Sequence, residues 1–169
     1  MEFRDLIQSR YSVRAYKTKP VEEEKLRQIL EAGRLAPTAA NRQAFQLIVI
    51  HTEGRVAELK RIYPPEWFAQ APIVIAAVGI PGENWVRRDQ RNYVDVDVAI
   101  VLDHLILAAA DLGLGTCWIG AFDPKAAREV LGLPENAEPI AFTPIGYPAD
   151  EPRPKLRKPL AELVRYERW

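Results

Sequence analysis

Arg10, Ser12 and Arg14 stand at alternate positions in Arg10-Tyr11-Ser12-Val13-Arg14, directly after a short amphipathic stretch. On an extended segment, alternation puts those three donors on one edge and Tyr11 and Val13 on the other. Two planar guanidinium forks flanking a hydroxyl suit an anion with several acceptor oxygens, such as a phosphate. The same residues also read as a helix-terminal counter-charge at Arg10 and a solvated arginine at Arg14. A second cationic cluster, Lys155-Leu156-Arg157-Lys158-Pro159, lies near the other end of the chain. By itself it reads as a solvated face.

Two further segments are almost uncharged. In Pro37-Thr38-Ala39-Ala40-Asn41-Arg42-Gln43, small residues would let a flat ligand approach the backbone, and Asn41 and Gln43 can both donate and accept. An irregular loop after a proline helix terminator is the plainer reading. In Gly113-Leu114-Gly115-Thr116-Cys117-Trp118-Ile119-Gly120, Gly113 or Gly115 can cap a helix. Gly120, at the end of a strand, marks a close backbone approach. Cys117 is the sole cysteine, with no His/Asn partner motif nearby, and reads as a buried inert thiol. A lone thiol forms no internal disulfide, and no metal site is expected.

The elements that must position these residues follow from hydrophobic periodicity. The 169 residues fit one domain, and 48% hydrophobic with 27% charged residues is ordinary globular composition. Lys+Arg and Asp+Glu each number 23, a zero balance that argues against a general nucleic-acid binder. Helices are expected over 2–9, 21–35, 53–62, 92–112 and 124–131, with strands over 45–51, 73–78, 116–119 and 140–145. Gly33 and Pro37 are expected to close the second helix.

The apolar run 94–114 is interrupted by Asp95, Asp97, Asp103, His104 and Asp111. Each charge at bilayer depth would cost roughly 2.5–3.5 kcal/mol, so the run reads as a helix buried in a globular core, not a membrane span. It is more apolar surface than one small domain covers easily, which points to a partner subunit. After Gly146, Pro148, Pro152, Pro154 and Pro159 make a tail with no core of its own, and Leu160, Leu163, Val164, Tyr166 and Trp169 need somewhere to dock. The opening Met-Glu-Phe-Arg-Asp lacks the apolar core of a secretory signal, so cytoplasmic residence is expected.

With Arg-Tyr-Ser-Val-Arg, Ala-Pro-Thr-Ala-Ala-Asn-Arg-Gln, Gly-Leu-Gly-Thr-Cys-Trp-Ile-Gly and Lys-x-Arg-Lys-Pro-Leu in this order, the chain resembles the nitroreductase family of flavin-dependent oxidoreductases along essentially its whole length. The resemblance implies an α+β fold, a central mostly antiparallel sheet flanked by helices, in an intertwined homodimer. Residues 1–169 would form a single domain, with 147–169 as an extended tail exchanged onto the partner subunit. FMN would occupy two equivalent sites between subunits. Arg10, Ser12, Lys155 and Arg157, with Tyr11 beside them, would hold its phosphate and ribityl end. Arg14 would sit near N1 and O2 of the isoalloxazine. Pro37, Thr38, Ala39 and Asn41 would come from the second copy. Trp118, Ile119 and Gly120 would lie against the ring, the Gly120 N–H donating to N5.

The implied activity is hydride transfer from NAD(P)H, then reduction of nitroaromatic, quinone or related planar acceptors in a ping-pong cycle. No side chain need act as acid or base, because Arg14 meets the negative charge that develops at N1–C2=O. The same resemblance also accommodates a flavin-binding protein without redox turnover, and members catalysing reductive dehalogenation or flavin fragmentation. Tyr63-Pro64-Pro65-Glu66-Trp67-Phe68 stands where larger members carry an Asn and a Lys near the flavin, and the short chain lacks their helical lid. Trp67, Phe68, Trp85 and Tyr93 are candidates to wall an acceptor channel or to fill the core. Arg87, Arg88 and Arg91 are candidates to meet the 2′-phosphate of NADPH, or a solvated cluster.

Overall fold

The computed structural model describes residues 1–169. Four strands, β1 (Phe45–His51), β2 (Ile73–Gly79), β3 (Gly115–Thr116) and β4 (Glu138–Gly146), form one sheet in the order β1-β2-β4-β3, every pair antiparallel. Seven helices surround it: α1 (Phe3–Ser9), α2 (Glu23–Arg34), α3 (Val56–Ile62), α4 (Glu66–Gln70), α5 (Val94–Asp111), α6 (Pro124–Leu131) and α7 (Leu160–Leu163). The architecture is α+β, as the resemblance implied.

β2 explains how the layers stack. All seven of its residues are buried, so its sequence is a continuous apolar run instead of an alternation. Alternate side chains still part company. Ile73, Ile75 and Ala77 join Leu26 and Ile29 of α2 and Leu102 and Leu105 of α5 on one face. Val74, Ala76 and Val78 join Leu59 and Ile62 of α3, Phe68 of α4 and Ala127 of α6 on the other. The sheet is therefore covered by helices on both sides, with a core in each gap.

Several boundaries differ from the sequence reading. α3 begins three residues later than expected, because Gly54 at φ +74° makes a turn first. Gly33 lies inside α2 and does not end it. A Cβ there would approach Leu105 to 3.0 Å, so glycine serves the close α2–α5 contact. The helix ends at Arg34 with Leu35 as its cap, and Pro37 follows as expected. Gly113, at φ +77°, caps α5, with the Leu114 N–H returning to Ala109 O at 2.8 Å. The expected strand 116–119 is split: β3 is two residues, and Ile119 returns to the sheet only as a bridge to Phe142. No helix is long and apolar enough to cross a membrane.

Candidate functional site

Arg10-Tyr11-Ser12-Val13-Arg14 runs beside β3, bridging Ser12 to Thr116 in parallel and donating the Val13 N–H to Thr116 O at 2.9 Å. That pairing enforces the alternation. Val13 is buried in a small core with Tyr16 and Ala71, while Arg10, Ser12 and Arg14 line a cleft on the other side. Tyr11 also lines it, its hydroxyl donating to Asp150 O at 2.7 Å.

The far end of the chain forms the opposite wall. Residues 147–149 run alongside 15–17 through the bonds Lys17 N–H to Tyr147 O and Ala149 N–H to Ala15 O, both 2.9 Å. Asp150 then accepts the Arg14 N–H at 2.8 Å. From there Arg153, Lys155 and Arg157 complete a cleft of ≈ 340 Å³ that also holds Glu151. Lys155 Nζ donates to Ile7 O at 2.7 Å, anchoring the tail to the end of α1.

Five cations thus converge on one cleft, and none makes an ion pair. The Asp150 carboxylate is engaged by the Arg14 N–H and the Tyr11 hydroxyl, and Arg14 Nη1 and Arg157 Nη1 reach only backbone carbonyls. Partial burial, then the neighbouring Arg10 and Arg157 charges, lower the Lys155 pKa. Burial raises that of Tyr11, helped by the Asp150 charge. Such crowding of like charge is relieved by an anion. The donor set fits a phosphate monoester, which offers three acceptor oxygens.

Cys117, Trp118, Ile119 and Gly120 lead away from the same cleft edge. Cys117 is buried, and desolvation raises its pKa despite the nearby Arg14 and Arg10, so the thiol is not activated. Ile119 points into the core, and its N–H and C=O both pair with Phe142. It anchors the segment and has no free backbone group for a ligand. Trp118 is 42% exposed. Gly120 is exposed, and a Cβ on it would meet only Trp118 Nε1, at 3.9 Å. Nothing in the chain itself requires glycine there.

Pro37, Thr38, Ala39 and Asn41 lie elsewhere. Their loop includes a 3-10 turn at Ala39–Asn41 and three non-glycine residues with left-handed backbone: Ala40 (φ 50°), Asn41 (φ 53°) and Gln43 (φ 53°). Each such residue costs on the order of 1 kcal/mol or more unless its surroundings impose it, least for asparagine. Two side chains impose it here. Asp97 Oδ1 accepts the Ala39 N–H at 2.8 Å, and Thr38 Oγ1 accepts the Gln43 N–H at 3.0 Å. Asp97 is in the first turn of α5, whereas Asp111 at its far end binds the N-terminal amine at 2.7 Å beside the cleft segment. Fourteen residues of helix separate the two aspartates, about 21 Å at 1.5 Å per residue. One copy of the chain therefore does not bring this loop to its own cleft.

Two other groups of candidates are corrected. Phe68 is a core residue, fully buried edge-on to Tyr63 and Phe142 at 5.5 and 6.1 Å, and not a channel wall. Arg87 is already engaged, by Asp89 at 2.8 and 2.6 Å and by the Tyr93 hydroxyl at 3.0 Å, which leaves Arg88 and Arg91 exposed. Trp85 packs edge-on against Tyr93 at 5.0 Å, and Trp67 lies 6.0 Å below the Arg14 guanidinium. Arg153, Asp150 and Asp97 were absent from the sequence-derived set. Of these only Arg153 had a local signal, since it precedes Lys155 and Arg157 at the same two-residue spacing.

Comparison with known proteins gives a consistent picture. The Nitroreductase family profile matches residues 7–67 and 63–147. The chain is 31% identical to the FMN reductase (NAD(P)H) of Bacillus subtilis, covering 92% of this chain and 69% of that one. It is 30% identical to a protein of Thermus thermophilus named NADH dehydrogenase, covering 92% of this chain and 91% of that one. The crystal structure of a nitroreductase family protein from Clostridium difficile superposes with a TM-score of 0.93 at 38% identity, covering 100% of both chains.

Proposed function

This chain belongs to the nitroreductase family, and from that premise we propose that it is an FMN-dependent NAD(P)H oxidoreductase working as a homodimer. One observation carries the cofactor reading: cations from both ends of the chain meet, without ion pairs, on a single cleft. The chemistry FMN supplies when bound is hydride acceptance from NAD(P)H and reduction of a nitroaromatic, quinone or related planar acceptor, taken in ping-pong order.

The chain's own residues do the holding. Arg10, Ser12, Lys155 and Arg157, joined by Arg153, bind the phosphate end, with Tyr11 fixed by Asp150 as their scaffold. Arg14 places a permanent positive charge at the cleft edge next to Cys117, where it would stabilise negative charge on a bound flavin ring. Trp118 and the Gly120 N–H present a face and a donor to the ring, and Pro37, Thr38, Ala39 and Asn41 cover it from a second copy.

Two surfaces support the dimer. Val96, Ala99, Ile100, Asp103 and His104 follow one face of α5 and line a shallow groove of ≈ 460 Å³. In the tail, Leu156, Leu160, Leu163, Tyr166 and Trp169 are 62% exposed or more, more apolar surface than an unpartnered extension usually carries. A second copy covers both; because residues 147–157 pair with 15–17 or wall the cleft of their own chain, the exchanged part of the expected tail 147–169 is residues 158–169.

The test is an anaerobic titration of the FMN-loaded protein with NADH and with NADPH. The yellow absorbance should bleach and return on addition of a quinone or nitroaromatic. A flavin that stays oxidised would leave only binding without turnover.

Two further results are expected. Gly120→Ala should change the stability of the ligand-free protein by no more than roughly 0.5 kcal/mol, because the added methyl meets only Trp118 Nε1, at an ordinary 3.9 Å. FMN binding, by contrast, should weaken about tenfold through overpacking against the ring. Equal FMN affinity by fluorescence titration would remove Gly120 from the site.

FMN affinity should also depend on pH with two limbs. It rises as pH passes about 6, where a phosphate monoester takes its second charge. It falls again in the alkaline range below 10.5, because the lowered Lys155 pKa means that its proton, and its attraction for the phosphate, are lost early. Lys155→Arg should abolish the alkaline limb, since a guanidinium stays charged there.

A further inference from the structure

Asp97 is only 2% exposed, and its Oδ2 is the one buried side-chain oxygen or nitrogen in the protein without a hydrogen-bond partner. A carboxylate in such a place is costly, and the core of α5 has no packing need for one. Its neighbours Val94, Val98 and Val101 are all apolar and buried. The only contact it makes as an acceptor is with the Ala39 N–H, 58 residues away in sequence, just before the left-handed residues Ala40, Asn41 and Gln43. Removing that bond would leave two of these residues, Ala40 and Gln43, in a backbone region they rarely choose.

We infer that Asp97 is a positioning residue: it sets the Thr38–Gln43 loop in the conformation that meets the planar part of the ligand. The inference deepens the function proposed above and rests on it, since the loop's task is to cover the flavin ring. Asp97 is buried, so its influence on a ligand passes through the loop it holds. It acts through the Ala39 N–H, which its Oδ1 accepts at 2.8 Å. Thr38 Oγ1, accepting from Gln43, closes the same loop from the other side, so two side-chain acceptors hold the loop in addition to its own backbone hydrogen bonds.

The experiment compares wild type with Asp97→Ala and Asp97→Asn. Three probes are titrated: FMN, riboflavin, which has the ring without the phosphate, and inorganic phosphate, which reports the cationic cleft alone. Hydrogen–deuterium exchange over residues 38–43 is followed in parallel. Asp97→Ala should weaken FMN and riboflavin by the same factor, about tenfold for one lost hydrogen bond, with phosphate binding unchanged and exchange faster only in 38–43. Asp97→Asn keeps an acceptor for the Ala39 N–H and should recover most of the affinity and protection.

A merely structural Asp97 gives another pattern: exchange rises along α5 and β1, and phosphate binding falls with the rest. That pattern overturns the inference, as does an Asp97→Ala protein binding riboflavin as tightly as wild type. If Asp97→Ala does not fold, Asp97→Asn decides: wild-type protection at 38–43 supports the positioning role, and protection lost across α5 refutes it. Wild-type protein that binds no FMN refutes the functional reading itself, a separate outcome from any difference between variants.

Discussion

Lys155→Ala combined with Arg157→Ala is expected to weaken FMN binding by about 10²- to 10⁴-fold, while riboflavin binding stays within about twofold. Both side chains line the cleft from the tail, opposite Arg10, Ser12 and Arg14. Each charge-assisted hydrogen bond to a phosphate contributes about 1.5–3 kcal/mol, and two are removed together. Lys155 also ties the tail to Ile7 O, so part of the loss comes from a loosened wall. Fluorescence titration with both flavins checks the prediction. An equal loss for riboflavin would mean that these residues hold the fold and not the phosphate.

The largest effect on stability is expected at the other core. Phe142 of β4 is fully buried, edge-on to Phe122 at 4.8 Å and to Phe68 at 6.1 Å. Phe142→Ala should cost about 3–5 kcal/mol, because the sheet and three helices around it cannot collapse into the space. At 2–4 °C per kcal/mol for a chain of this size, the Tm falls by roughly 6–20 °C. The site should feel the change. The backbone of Phe142 exchanges two hydrogen bonds with Ile119, 2.9 and 3.0 Å, which fix the segment carrying Trp118 and Gly120. Thermal unfolding with and without FMN measures both consequences, and a loss below about 1 kcal/mol would contradict the packing argument.

Much of this architecture was legible in the chain because local patterns sufficed. Ile73–Gly79 announces a strand covered on both faces by its unbroken apolar run, and the cores on either side meet that expectation. The alternation Arg10, Ser12, Arg14 survives because its register is pinned by Thr116 on one side and Val13 burial on the other. Helix α4 was invisible, since five residues after Pro65 hold too little periodicity to distinguish them from a turn. Arg87 looked free in sequence, yet a tight turn folds Asp89 back onto it.

Two of the three misses at the site, Asp97 and Asp150, share one cause. Asp97 appears in the sequence only as a charge interrupting an apolar helix, and its partner Ala39 is on a distant loop. Asp150 joins the tail to the Arg14 N–H across 136 residues. Hydrogen bonds of that range leave no spacing to read. Arg153 did leave one, but Pro152 and Pro154 on either side made the segment look like a linker.

Native mass spectrometry of the purified protein, reconstituted with FMN, tests the account most directly. The cationic cleft and the Thr38–Asn41 loop, at opposite ends of α5, should meet one ligand only across two copies, so the dominant species should be two chains carrying two FMN. Single chains retaining FMN, or paired chains that take up none, would contradict it.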